Sequence, residues 1–128
     1  MTQEERQLLI KDLAGRLPYN VVVGCTEDDE PDTFFKCILS GEMLQTIIYK
    51  TEYFNYTPFL RPMSSMTKEE KEEYDDLLMS VNDGCENTDY MPHSCMEYVD
   101  WLNEHHFDYR GLIEKGLAIE VTEKNNPY

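Results

Sequence analysis

The stretch Thr33-Phe34-Phe35-Lys36-Cys37-Ile38-Leu39-Ser40-Gly41-Glu42-Met43-Leu44-Gln45-Thr46-Ile47-Ile48-Tyr49-Lys50-Thr51-Glu52-Tyr53-Phe54 decides how the rest of the chain is read. Its β-branched and aromatic residues favour pleated strands, and Ser40-Gly41-Glu42 is short enough to turn one run back on the other. With Val21-Val22-Val23 upstream, the region from Asn20 to Thr57 reads as an antiparallel meander. Along the run from Met43 to Phe54, Ile47, Tyr49, Thr51 and Tyr53 share one face; Ile48, Lys50, Glu52 and Phe54 share the other. Neither face is cleanly apolar. The link Glu27-Asp28-Asp29-Glu30-Pro31-Asp32 joins the first two strands, and its self-repelling carboxylates and proline suit an exposed loop.

Helical signals flank this region. Thr2-Gln3-Glu4-Glu5 is a capping box, in which the Thr hydroxyl and the Glu carboxylate each take an otherwise orphaned N–H. Leu9, Leu13 and Leu17 then recur every four residues, and Gly15 and Pro18 end the helix. Pro58 and Pro62 bracket Phe59-Leu60-Arg61 and are expected to interrupt any ladder. Thr67-Lys68-Glu69-Glu70 is a second capping box, opening a helix from Lys68 to about Val81 with Asn82-Asp83-Gly84 after it. On a 3.6-residue period Tyr74, Leu77, Leu78 and Val81 form its apolar face, opposite Glu69, Glu72, Glu73, Asp75 and Asp76. Cys85 to Pro92 reads as a loop. A third box, Ser94-Cys95-Met96-Glu97, starts a helix whose apolar residues are Tyr98, Val99, Trp101 and Leu102 and which ends near His106. Asp108 to Gly116 reads as a turn and short helix, Leu117 to Val121 as a last strand, and residues 122–128 as a polar tail. The expected architecture is α+β: one domain over residues 1–128, with a small antiparallel sheet of three to four strands flanked by about three helices.

The 128 residues carry 11 Lys+Arg against 26 Asp+Glu, a formal net charge of −15. That balance argues against direct binding to nucleic acid or to an anionic membrane, since both need a cationic patch. No run reaches the roughly 18 apolar residues of a membrane span, and Met1 to Arg6 is polar and acidic, so the chain is expected to be cytoplasmic and unprocessed. In that compartment Cys25, Cys37, Cys85 and Cys95 are expected to be reduced thiols.

Catalytic signals are thin. There is no GxSxG elbow and no glycine-rich phosphate loop, so no cofactor is expected. Cys85, His93 and Cys95 offer three zinc donors without a fourth, at a spacing that matches no zinc signature, and no metal is expected. His105 and His106 point about 100 degrees apart on a helix and suit its C-terminal end, where imidazole can bond the last carbonyls. The acidic distribution is more informative. Glu27 to Asp32 and Lys68 to Asp89 together hold −12 of the net −15. Carboxylates on successive helical turns lie about 5 to 6 Å apart, the scale of phosphate spacing along a strand. The expected partner-binding residues are therefore Glu27, Asp28, Asp29, Glu30, Glu69, Glu72, Glu73, Asp75 and Asp76, facing a protein with a basic surface.

Three blocks carry a resemblance: Leu9 to Tyr19, Phe59 to Glu70, and Trp101 to Ala118. They resemble a family of small proteins from gut-bacterial (Bacteroidales-type) genomes, prophages and phages that has no assigned activity. The resemblance implies a setting, mobile genetic elements, and carries over no catalytic or binding residues. In that setting the expected function is a non-enzymatic acidic accessory protein that acts by protein binding, inhibiting a host nucleic-acid-binding or defence protein through a nucleic-acid-mimicking surface. The alternatives are a structural or assembly component forming a homo-oligomer, and a small enzyme with a site around His93, Cys95, His105 and Asp108.

Overall fold

The capping box at the N-terminus forms as its sequence predicts. Thr2 Oγ1 accepts the Glu5 N–H at 3.1 Å and opens α1 (Gln3–Arg16), whose buried face is Leu9, Asp12, Leu13 and Arg16. A 3-10 turn at Leu17–Tyr19 leads into β1 (Val22–Glu27). The computed structural model describes residues 2–27, 30–49, 54–84 and 93–128.

β1 pairs antiparallel with β2 (Glu30–Ile38), so the acidic run is shared between two strands rather than forming a free loop: Glu27 pairs with Glu30. Asp28 and Asp29 lie outside the described residues. Beyond β2 the structure departs from the meander. Gly41–Tyr49 is a helix, α2, and not a strand. Three interactions override the β-propensity of its residues. Ser40 caps it, its Oγ accepting the Met43 N–H at 3.3 Å and its carbonyl accepting the Leu44 N–H at 3.1 Å. Met43, Leu44 and Ile47, at helical spacing, pack against the core. At the other end Arg6 of α1 donates to the Ile47 carbonyl at 3.0 and 2.8 Å and also to the Ile48 carbonyl, meeting the negative end of the helix with a cation.

The third strand is therefore β3 (Phe54–Pro62), and it runs through Pro58. β1 pairs with it from Phe54 to Pro58, β5 (Ile119–Glu120) at Phe59 and Leu60, and β4 (Phe107–Asp108) at Arg61 and Pro62. Pro58 stands at the last pair of the β1 ladder, so the missing N–H marks a change of partner rather than the end of the strand. The sheet has five strands and is mixed, with β4 and β5 parallel to β3; the two added parallel pairs are what a purely antiparallel reading lacks. With four α-helices among the described residues, the class is α+β.

α1, α2 and the turn around Leu112 and Leu117 cover one face of the sheet, burying Val23, Cys25 and Leu60. On the other face Phe59 is 2% exposed, with the Phe34 ring edge-on at 6.4 Å. Gly24 makes room for that ring, because a Cβ would meet Phe34 Cε2 at 2.5 Å and displace it. The second capping box, Thr67 with Glu70, opens α3 (Lys68–Gly84), which continues through the Asn82-Asp83-Gly84 expected to stop it. α4 (His93–Glu104) begins one residue ahead of Ser94, which therefore lies within the helix rather than at the cap position expected of it. α3 packs on α4, and α4 on α1.

The C-terminal region is built by its own side chains. Asp108 Oδ1 and Oδ2 accept the N–H groups of Leu112 and Ile113 at 2.9 and 3.0 Å, where a short helix was expected. Gly116, at φ +73, closes the turn: its N–H reaches the Ile113 carbonyl, and that of Leu117 reaches Leu112. The polar tail is anchored, since the Tyr128 hydroxyl accepts the Val22 N–H at 3.0 Å and donates to the Phe59 carbonyl at 2.8 Å. Its ring stacks on His106 at 3.8 Å.

Leu102 is 1% exposed, whereas Leu77 is only half-buried between α3 and its neighbours. Leu102→Ala is expected to cost about 2–5 kcal/mol and Leu77→Ala about 1 kcal/mol or less, because the second site can collapse onto solvent. Urea denaturation of both variants checks the ranking.

Candidate functional site

The acidic face of α3 is displayed by a closed set of contacts on its other side. Glu70 is held by Arg61 of β3 in a two-pronged ion pair at 2.6 and 2.8 Å. These hydrogen bonds hold the Glu70 carboxyl at about 2, well below its ordinary 4.5. Arg61 in turn lies over the Phe107 ring at 4.2 Å. Phe107 stacks on Trp101 at 5.7 Å, and Trp101 on Tyr74 of α3 at 5.8 Å. The ring of contacts therefore returns to the helix from which it began. Glu73 adds a direct tie, its Oε2 accepting the Trp101 indole N–H at 3.0 Å.

Of the carboxylates expected to bind a partner, Glu69, Glu72, Glu73, Asp75 and Asp76 are all exposed. Glu73 nevertheless has this structural role. Among the described residues Glu69, Glu72 and Asp75 form no ion pair. Glu27 and Glu30 pair with each other at the hairpin end of β1 and β2. The α3 carboxylates thus share one helix, while Glu27 and Glu30 stand on the β1–β2 hairpin.

The residues weighed for catalysis do not converge. His105 turns its Nδ1–H to the Trp101 carbonyl at 2.9 Å and stacks on the Trp101 ring at 4.3 Å, the helix-end role that its position predicts. Asp108 has both oxygens on backbone N–H groups. Cys85 and the side chains of His93 and Cys95 lie outside the described residues. No group of three or more metal-ligating side chains is found among the described residues. A cleft of about 260 Å³ opens between α1, β3 and the Gly116 turn, with Glu5 and Lys115 as its charged groups.

A second charged cluster was not foreseen. Arg16 and Asp12, both fully buried, pair at 2.7 Å, and Arg16 Nη2 also donates to the Phe107 carbonyl at 2.6 Å. Arg110 approaches the same carboxylate at 3.3 Å, and both guanidinium groups sit 5.1 Å from the Tyr109 ring centre. Tyr109 donates to Asn103 Oδ1 at 2.8 Å. Arg16 Nη1 and His106 Nδ1 have no hydrogen-bond partner among the described residues. The available sequence signal was spacing alone: Asp12 and Arg16 fall on the Leu9 and Leu13 face, three and seven residues beyond Leu9.

His106 is held neutral chiefly by its burial. Burial, then the charges of Arg16, Arg61 and His105, push its imidazole down to about 4. It also occupies the left-handed region at φ +64.

Comparison with protein-family models, curated proteins and solved structures yields no match. No described helix is long and apolar enough to cross a membrane.

Two outcomes are expected. Asp12→Ala, which leaves two guanidinium groups without their carboxylate, should cost about 3–5 kcal/mol, against about 0.5 kcal/mol or less for Glu69→Ala; chemical denaturation measures both. Because the folded pKa of His106 lies below its unfolded value, its contribution is complete above pH 6.5 and is lost as the pH falls toward 4. His106→Asn, which tolerates the same backbone, should flatten the fall in melting temperature across that window.

Proposed function

We propose that this chain is a non-enzymatic accessory protein of a phage or mobile element that binds a protein with a basic surface. The carboxylates of α3 stand in for a nucleic-acid backbone, and the partner is a host nucleic-acid-binding or defence protein whose cationic channel they occupy. The observation that carries this reading is the display of one acidic helix face: the helix is fastened through Glu70, Glu73 and Tyr74, while Glu69, Glu72 and Asp75 are exposed.

The physics favours such a surface. At 1.5 Å per residue, the 17 residues of α3 span about 25 Å. Pre-ordered side-chain carriers lose less entropy on binding than a flexible acidic tail. A concentrated negative field accelerates encounter with a cationic partner, and salt weakens it. The setting comes from the resemblance of the Leu9 to Tyr19, Phe59 to Glu70 and Trp101 to Ala118 blocks.

Affinity capture of the tagged protein from host lysate at low and high salt, with mass spectrometry of the bound proteins, tests the proposal. The expected result is one nucleic-acid-binding protein held at low salt and released at high salt. Glu69→Lys, Glu72→Lys and Asp75→Lys together should reduce its capture about tenfold or more while leaving the fold intact. Equal capture by the folded triple variant overturns the reading, and a stable symmetric oligomer that captures nothing replaces it with the assembly role.

A further inference from the structure

Two thiols meet across the β1–β2 ladder. Cys25 pairs with Phe35 and Val23 with Cys37, so the two cysteines are diagonal neighbours on the face that packs against the core. Their sulfurs are 2.9 Å apart, and Cys37 Sγ also donates to Met43 Sδ of α2 at 3.8 Å. The Cys37 proton being directed at Met43, the short contact is made by the Cys25 thiol donating to Cys37. Burial, followed by this hydrogen bond and the neighbouring sulfur, pushes the Cys25 thiol up to about 12, as expected of the donor. The two are not equally accessible: Cys25 is fully buried, while Cys37 is half-buried on β2, which ends the strand order β2-β1-β3-β4.

We propose that Cys25 and Cys37 are a modification site that forms a reversible disulfide by exchange with a low-molecular-weight disulfide of the glutathione type. Only about 1 Å of sulfur movement separates the contact from a bond. The Cys37 thiol, the accessible one, loses its proton to solvent and attacks one sulfur of the small disulfide. A mixed disulfide forms on Cys37 and the first small thiol departs, taking up a proton. Cys25 then gives its proton to solvent and its sulfur attacks the Cys37 sulfur, expelling the second small thiol. Two protein thiols are oxidised and one small disulfide is reduced to two thiols. A high thiol pKa slows the second step, and the permanent adjacency of the two sulfurs offsets it.

Oxidation would alter two elements. The bond closes residues 25–37, which contain the acidic run 27–32, into a loop. It also removes the Cys37 S–H that reaches Met43 in the first turns of α2. In a reducing compartment the pair rests as the dithiol, and a rise in small disulfides converts it.

The test uses the full chain carrying Cys85→Ser and Cys95→Ser, so that only this pair can react. After incubation with oxidised glutathione and acid quenching, the intact mass should fall by two hydrogens. Peptide mapping should give a Cys25–Cys37 cross-link that dithiothreitol reverses. Adding Cys25→Ser should arrest the reaction as a single glutathione adduct on Cys37, and adding Cys37→Ser should leave neither adduct nor cross-link. A lasting adduct without cross-link in the two-cysteine protein overturns the proposal. So does the absence of any reaction when the same protein in urea reacts. Should Cys25→Ser fail to fold by circular dichroism, the map of the two-cysteine protein decides alone.

Discussion

The rest of the structure depends on one buried ion pair, Arg16 with Asp12. Removing two charges from water is costly, and the attraction between them compensates only when the geometry is good and the remaining donors are used. Arginine suits the position because its planar fork can serve several acceptors at once. Arg16 bonds both Asp12 oxygens and the Phe107 carbonyl, and lies over Tyr109. A side chain from the last turn of α1 thereby fixes the segment that becomes β4, which must lie beside β3 for the sheet to close. Burial, with the same charge behind it, keeps His106 neutral, and its ring stacks on that of Tyr128, whose hydroxyl bridges β1 and β3. One pair therefore ties the first helix to the chain's last residue.

The acids fall into two sets with different duties. Asp12, Glu70 and Asp108 are held by guanidinium or backbone donors and organise the fold. Glu69, Glu72 and Asp75 are exposed and form no ion pair among the described residues. Glu73 belongs to both sets, exposed yet bonded to Trp101, so its charge cannot be altered without loosening the helix it decorates. That distinction separates a carboxylate available to a partner from one already engaged.

Local signals in the sequence were legible where they were self-contained. The Thr2–Glu5 and Thr67–Glu70 boxes form, Gly116 closes its turn, and His105 meets a helix-end carbonyl. The misreadings share a cause: a partner distant in sequence. α2 was read as a strand because nothing near Ile47 announces that Arg6, 41 residues away, will cap its carbonyls. Pro58 suggested an interruption because the sequence does not show that β3 exchanges one neighbour for another at that point. Tyr128 looked like tail, its 69-residue bond to Phe59 being invisible from composition. The candidate site was legible as a helix face by periodicity, but the ring of contacts through Arg61, Phe107 and Trp101 that holds it was not.

All four arginines are engaged with groups of the protein itself: Arg6 with α2 carbonyls, Arg16 and Arg110 with Asp12, and Arg61 with Glu70. Each joins elements far apart in sequence, or a strand to the helix that follows it, which is work for a donor that stays charged at any working pH. Seven lysines remain to offset the other acids. Guanidinium groups turned toward internal carboxylates and carbonyls are shielded from a partner, and their fields are partly cancelled at source. Each such ion pair cancels a carboxylate along with a guanidinium, so the field beyond the surface reflects the net charge of −15. Among the described residues no arginine pairs with Glu69, Glu72 or Asp75, and Lys68 and Lys71 are the cations that α3 itself carries.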